Sequence, residues 1–383
     1  MRKTVIFAYL DAKGVYPFKY LGIPMHFRKL SNIDWKVVED KIERKLSSWK
    51  GKLMSVGGRL VLLNSVLTSL VMFMLSFFEV PKGVLEKIDY FRSRFFWQGG
   101  DYKKKYRLAK WEILCQPKEV GGLGIQNIDV QNKCLLSKWL FKLLNEDGLW
   151  QTLLRKKYLS RHTLTKVTSK PGDSHFWAGL MKVKDTFLNL GSFILKNGTQ
   201  IRFWEDRWLG LQPLMTQYSS LYNIARKKSA TVASVFETVP LNVSFQRALV
   251  GENLRLWHLL VLRVAQVELC GENDMFKWDL SVTGLFSVRS MYRALLNNNH
   301  VTYNKTLWSL KVPLKIKIFM WYLIRGVVLT KDNLVRRNWH GDRKCAFCHS
   351  DESIQHLFFC LSLCPVHVEV SFLEFGFQLT EIS

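Results

Sequence analysis

The sequence predicts a mainly α-helical chain with small β elements, an α+β protein that ends in a metal-binding module. Three observations predict it. Apolar residues recur at helical spacing through much of 33–97 and again over 129–159. Alternation of the kind a strand needs is confined to short runs at 198–204 and 276–289. Four of the seven cysteines fall within twenty residues of one another near the C-terminus.

Taken in order, residues 1–30 read as extended, and Tyr20-Leu21-Gly22-Ile23-Pro24 closes them with a Gly-x-Pro break. A helix is expected over about 33–49, with Asp34 in its first turn and Val37, Val38, Ile42 and Leu46 on its apolar face. Gly57-Gly58 precedes a long helix at 59–78, which Pro81 terminates. A third helix at about 83–97 turns Leu85, Ile88, Phe91, Phe95 and Phe96 inward and leaves Arg92 and Arg94 on its more exposed sides. Three helices with short joints read as a small bundle. Gly121-Gly122-Leu123-Gly124 lacks the Lys-Ser/Thr ending of a phosphate-cradling loop and reads as a turn. A helical stretch covers about 129–159. The run 198–204 reads as a strand after a turn, and 276–289 as a hairpin around Thr283-Gly284. Helix returns after Ser290 and again over 307–325. These signals divide the chain into four segments. They are a helical bundle at 1–100, a basic loop with a helical connection at 101–160, an irregular α+β middle region at 161–273, and a zinc module at 274–383.

One segment has the composition of a membrane span. Leu60 to Phe78 carries no charge. Asn64, Ser65, Thr68, Ser69 and Ser76 nevertheless recur near helical spacing as a weakly polar stripe, so the expectation is a buried helix and no membrane partner.

Lys and Arg number 56 against 31 acids, a net charge of +25, which points to a polyanionic partner, RNA or DNA. Two basic stretches carry aromatics between the charges, a pattern in which cations grip phosphate and rings stack on bases. The first holds Lys103, Lys104, Lys105, Arg107 and Lys110 among Tyr102, Tyr106 and Trp111. The second, 301–344, has ten Lys or Arg against two acids and includes Lys311, Lys315, Lys317, Arg336 and Arg337. A solvated charged face is the plainer reading of either run alone.

Cys345, Cys348, His356 and Cys360 follow the spacing C-x2-C-x7-H-x3-C. Three thiolates and an imidazole complete a closed tetrahedral Zn2+ site, which is structural because no position remains for water or substrate. His356 and Cys360 share one face of a helical turn, and Leu357, Phe358 and Phe359 are expected to pack beneath. Cys364 lies one turn further and is an alternative fourth ligand; His349 and His367 are also near. The odd, clustered cysteines suit a reducing compartment, so the chain is expected to be intracellular, nuclear or cytoplasmic, and not secreted. Asp11 ends the apolar run Val5 to Leu10 too early for a signal peptide.

Catalytic constellations are missing from the sequence. Polymerases and nucleases hold two metal ions with clustered carboxylates, and no Asp-Asp pair occurs. Glu205-Asp206, between Trp204 and Arg207, reads as a packed turn with an ion pair. No Gly-x-Ser-x-Gly and no His-Glu-x-x-His is present.

Read together, the motifs resemble a family. Phe18 to Pro24, Ser48-Trp49-Lys50, Gly58-Arg59-Leu60 with Leu63 to Leu67, and Pro117-Lys118 with Gly121 to Gly124 are similar to the region that follows the palm in plant LINE-type (non-LTR) retrotransposon reverse transcriptases. Ile201 to Trp208 resembles a turn of that family. Gly284, Phe286 to Ser290, Tyr292, Trp308, Val312-Pro313, Lys315, Phe319, Trp321, Cys345 to Cys348 and His356 to Phe359 resemble its zinc-binding domain. The resemblance implies that Tyr20 to Pro24 lie near the end of the palm. It also implies that the helices of 33–97 form a thumb on template–primer, and that 274–360 is the reverse-transcriptase zinc-binding domain. The Tyr/Phe-x-Asp-Asp motif of the polymerase is absent, so the expected fragment lacks a polymerase site, and a separate palm becomes a candidate partner. The last gap of the metal motif is three residues where the family more often has four. The chain ends soon after it, as a truncated or decayed copy would. A zinc-stabilised protein-interaction module and a non-functional remnant are the alternative readings.

Overall fold

The structure is a computed structural model that describes residues 18–20, 23–25, 30–49, 51–98, 106–160, 163–296 and 305–360. It is mainly helical, with two small antiparallel sheets. β1 (Phe18–Tyr20) pairs with β2 (Ile23–Met25), Tyr20 opposite Ile23, so Ile23-Pro24 of the Gly-x-Pro run lie in a strand, while Gly22 is outside the described residues. β3 (Gly191–Ile194) pairs with β4 (Met275–Trp278), Gly191 opposite Trp278. The chain divides into two units. The first is Met1–Trp35, Met72–Lys82 and Ile128–Asn297, and the second is Lys36–Val71, Gly83–Asn127 and Asn298–Ser383.

In the first unit the expected helix at 129–159 is two helices, Ile128–Asn145 and Leu149–Tyr158. Arg155 explains the break. Its Nη2 donates to the carbonyls of Leu143 (2.7 Å) and Glu146 (2.9 Å), capping the last turn of the first helix from the second. The buried stripe Cys134, Leu136, Leu140 and Leu143 packs with Trp177, Leu180 and Phe187 of the helix His175–Leu188 and with Phe276, Trp278 and Met291. Phe187 lies nearly parallel to Trp278, ring centres 5.6 Å apart, and the Trp278 indole N–H donates to Ser290 Oγ at 2.8 Å.

The hairpin expected at 276–289 does not form. Phe276 and Trp278 do alternate inward, but β4 takes β3 as its partner. Residues after the Gly284 turn enter the helix Val288–Leu295, because Ser287 accepts the Ser290 N–H as an N-cap. Gly191 is required at this pairing, since a Cβ there would lie 2.4 Å from the Phe276 ring.

A second core of this unit collects Ile201, Phe203, Trp204, Leu221, Val232 and Leu260. The strand expected at 198–204 is mostly turns and shrinks to one antiparallel bridge, Arg202 with Thr231, flanked by Phe203 N–H to the Ala230 carbonyl and Val232 N–H to the Ile201 carbonyl, both 2.9 Å. Before it, the Asp274 carboxylate accepts the N–H groups of Lys196, Gly198 and Gln200, each at 2.9 Å. The Glu205-Asp206 turn is packed as expected. Glu205 pairs with Arg202, and buried Asp206 accepts the Arg202 N–H at 2.6 Å. Burial pushes the Asp206 carboxyl up from its ordinary value.

The helices read as 33–49 and 83–97 run over Asn32–Ser48 and Lys82–Gln98. Most of the charge-free segment, Leu60–Leu75, lies in the helical run Val56–Leu75, which is long and apolar enough to span a membrane by length and composition alone. Within the second unit its polar stripe has specific partners. Asn64 donates to the Gly124 carbonyl and accepts the Gln126 N–H, and buried Thr68 donates to the Leu63 carbonyl five residues back. That i−5 bond accompanies a π-helical turn at Leu63–Leu67.

Arg92, expected on an exposed side, is fully buried. Its guanidinium donates to Asp89 (2.6 Å), the Gln126 carbonyl (2.7 Å) and Thr68 (3.3 Å), which satisfies the charge inside. Gly121 to Gly124 is the expected turn. A Cβ on Gly122 would sit 2.0 Å from the Gln116 carbonyl oxygen. The Gly121 carbonyl accepts from the Trp321 indole (2.9 Å) and Arg325 (2.6 Å). The helix expected at 307–325 is interrupted: Lys305–Ser309 and Leu314–Ile324 flank Pro313, which cannot donate a backbone hydrogen bond.

Candidate metal centre and basic surface

Residues 343–352 form a small hairpin-like loop. Glu352 N–H donates to the Arg343 carbonyl (2.9 Å), Lys344 bridges Asp351, and Cys345 N–H donates to the Ser350 carbonyl (2.8 Å). The loop is moored to the short helix Lys331–Val335, whose first amides reach Glu352. Lys331 N–H donates to its carboxylate (3.1 Å) and Asp332 N–H to its carbonyl (3.2 Å). The Lys344 ammonium and Asp351 carboxylate pair at 2.9 Å, which holds the carboxyl below and the amine above their ordinary values.

At the loop's turn the two cysteines form the expected knuckle, with the Phe347 N–H directed at Cys345 Sγ (3.4 Å). Hydrogen bonds from Ser350 lower the Cys348 thiol. His356 begins the turn His356–Cys360, its N–H held by Ser353 Oγ at 3.1 Å, and its Nε2 lies 3.1 Å from Cys348 Sγ. The donor atoms of Cys345, Cys348 and His356 all lie within 4.8 Å of one another. Bond lengths of about 2.0–2.3 Å to one Zn2+ put tetrahedral ligand atoms roughly 3.5–3.8 Å apart, so three donors at this spacing fit that ion. Cys345 is buried while Cys348 and His356 are half-buried. Phe358 meets Phe319 with ring centres 5.6 Å apart, part of the packing expected beneath the motif. The Cys360 side chain and all of Cys364 lie outside the described residues, so the choice between them as fourth ligand stays as the sequence left it.

Lys103, Lys104 and Lys105 also lie outside the described residues. Arg107, Lys110, Lys311, Lys315 and Arg336 are exposed, whereas Lys317 donates to the Trp308 carbonyl at 2.9 Å. Arg337 joins the two basic stretches. Its Nη1 donates to the Arg107 carbonyl (3.2 Å) and its guanidinium lies over the Tyr106 ring at 5.7 Å. Two features had no signal in the linear reading. Lys118 stands over Trp308 at 4.8 Å. Phe347, between the two cysteines, is 72% exposed; its place inside C-x2-C was the only available hint.

Comparison with known proteins agrees with this geometry. Residues 286–370 match the family described as zinc-binding in reverse transcriptase. An Arabidopsis thaliana protein named "Putative ribonuclease H protein" is 29% identical over 360 residues, which is 91% of this chain and 57% of that protein. The chain thus spans somewhat over half the length of that relative. An uncharacterized mitochondrial protein of the same plant is 24% identical over 143 residues, 37% of this chain and 93% of its own length. Toward its C-terminus the chain therefore carries a segment similar to the zinc-binding region of reverse transcriptases.

Proposed function

We propose that this chain is a retrotransposon-derived fragment that binds RNA or DNA, and that Zn2+ holds its reverse-transcriptase-type zinc-binding segment in shape. The observation that carries the reading is the joining of two basic stretches by Arg337. It brings Arg107, Tyr106 and Arg337 together from opposite ends of the sequence, in the same unit as the Cys345–Cys348–His356 cluster. Exposed Arg107 beside the Tyr106 ring, with half-buried Arg337 over that ring, suits a phosphate backbone with unpaired bases. Phe347 offers a second ring, held outward by the knuckle, on which a base can stack. Cys345, Cys348 and His356 would hold the ion, with Cys360 or Cys364 completing the set. A closed ligand set supplies rigidity and no reaction chemistry.

The source element is of the LINE type on this reading. A separate reverse-transcriptase palm is a candidate partner, and the working compartment is reducing, nuclear or cytoplasmic. The test is fluorescence anisotropy of the full chain with template–primer and single-stranded RNA across a salt series. Affinity that falls steeply with salt is expected, because each neutralised phosphate releases counterions. Binding that is absent, or indifferent to salt, sinks the reading. Metal content of Cys345→Ser, Cys360→Ser and Cys364→Ser assigns the ligands. The first should lose zinc, and whichever of the other two also loses it is the fourth ligand.

A further inference from the structure

The first unit contains an open cavity of about 590 Å³ whose wall includes Arg226, Lys227, Lys228, Ser229, Ser234 and Gln246. Two stretches of chain build that wall side by side. Ala225 and Phe245 form an antiparallel bridge, flanked by Arg226 N–H to the Ser244 carbonyl (2.9 Å) and Gln246 N–H to the Ile224 carbonyl (2.8 Å). The backbone under the three consecutive cations is therefore fixed.

The side chains are committed unequally. Arg226 Nε donates to the Phe245 carbonyl at 2.9 Å, which orients the guanidinium and leaves its two Nη groups without a protein acceptor among the described residues. Lys228 stands over the Tyr222 ring at 4.8 Å. Lys227 is exposed, with no carboxylate partner among the described residues. Beside the cavity, Lys166 donates to the lining Ser229 Oγ at 3.2 Å from 63 residues earlier in the chain. The carboxylate that reaches Tyr222, Glu205, is already paired with Arg202. No acid lines the cavity.

Three positive groups lining one concavity, with Lys166 bound to the Ser229 hydroxyl beside them, repel each other unless an anion sits among them. The donor set suits a tetrahedral oxyanion. An oriented guanidinium fork makes paired bonds, ammonium groups add point charge, and a serine hydroxyl adds a neutral donor. We propose that this cavity is a phosphate-binding site, taking either a free phosphate compound or the phosphodiester of a polynucleotide. Arg226 fixes the anion's orientation, and Lys227 and Lys228 supply charge. The site uses none of the residues of the metal centre or of the Arg107–Arg337 surface, so it stands or falls apart from the function proposed above.

The test uses the full chain and two probes: inorganic pyrophosphate by titration calorimetry, and a short single-stranded oligonucleotide by anisotropy. The double substitution Lys227→Gln, Lys228→Gln is expected to weaken pyrophosphate binding about tenfold, and Arg226→Lys, which keeps the charge but loses the fork, about threefold. Unchanged melting temperatures would show that folding is intact, since Lys227 is exposed and Lys228 only half-buried. If the oligonucleotide also weakens in the double variant and its log–log salt slope drops by about 1.4, the phosphodiester is the ligand. If pyrophosphate alone responds, a free phosphate compound is the ligand. If neither probe distinguishes the variants from the parent chain, the site is overturned.

Discussion

The loop 343–352 and the core around β4 hold their shapes with different materials. The loop has two cross-chain backbone bonds, one bridge and an exposed ion pair, and its tip places a phenylalanine in solvent. Beside β4, Trp177, Phe187, Phe276, Trp278 and Met291 are buried almost completely, and each polar atom on the inward Trp278 has a partner. Burial of that kind is worth several kcal/mol per aromatic side chain. The loop has nothing comparable, and a metal bound by Cys345, Cys348 and His356, as proposed, would supply what apolar area does elsewhere. A short segment can be rigid without a core of its own, and its residues are then free to face a partner.

Removing the metal is the largest way to break this contrast. Structural zinc contributes on the order of 10 kcal/mol in small zinc-binding peptides. Chelation should therefore abolish hydrogen-exchange protection at the amides of Cys345 and Glu352 while leaving the β3–β4 amides protected. Equal loss in both places, or no loss in the loop, breaks the contrast. Trp278→Ala does the reverse. It should cost about 3–5 kcal/mol in denaturant unfolding of its own unit and leave zinc content unaltered. Gly191→Ala forces a Cβ against the Phe276 ring and should cost about 1–3 kcal/mol by the same measurement.

Thiol chemistry sharpens the comparison further. Burial pushes the Cys115 and Cys134 thiols up to about 12, so at pH 8 only about one molecule in ten thousand carries either thiolate. Iodoacetamide should spare both cysteines in the folded chain, with or without chelator, and should label Cys345 and Cys348 only after chelation, as read by peptide mass mapping. Labelling of Cys115 or Cys134 in the native chain would contradict their burial. The smallest expected effect on stability is that of Phe347→Ala, within about 0.5 kcal/mol for so exposed a side chain. The same change should weaken single-stranded RNA binding by about 1–3 kcal/mol if its ring stacks on a base. Unaltered RNA affinity would remove Phe347 from the surface without touching the fold.

Much of this was legible in the sequence, for local reasons. The cysteine knuckle, the Gly121–Gly124 turn and the packed Glu205-Asp206 turn depend on residues within a few positions of one another, whereas the stop expected at Pro81 falls at Leu75, six residues short. Three of the four expected metal ligands converge as the spacing required. Arg92 was misjudged because an arginine on a helix flank reads as exposed; its burial depends on a carbonyl at Gln126, 34 residues away. The strand pattern at 198–204 came down to a single bridge, Arg202 with Thr231, for a similar reason. Alternation signals which side chains go inward, and Ile201 and Phe203 do, but it cannot show that Asp274 will take the backbone N–H groups.

By itself, then, the sequence determined the helical class, the metal-ligand chemistry and the excess of positive charge, because residue type and short-range spacing fix these. Tertiary structure alone decided that β4 pairs with β3, that Arg337 reaches Arg107 and Tyr106, and that Lys166 reaches Ser229 beside the Arg226–Lys228 cavity. Those pairings join residues 63 to 230 positions apart in two cases and more than 80 in the third. No local propensity specifies a partner at that range. It is selected by which buried donors, acceptors and rings can all be satisfied at once when the chain packs.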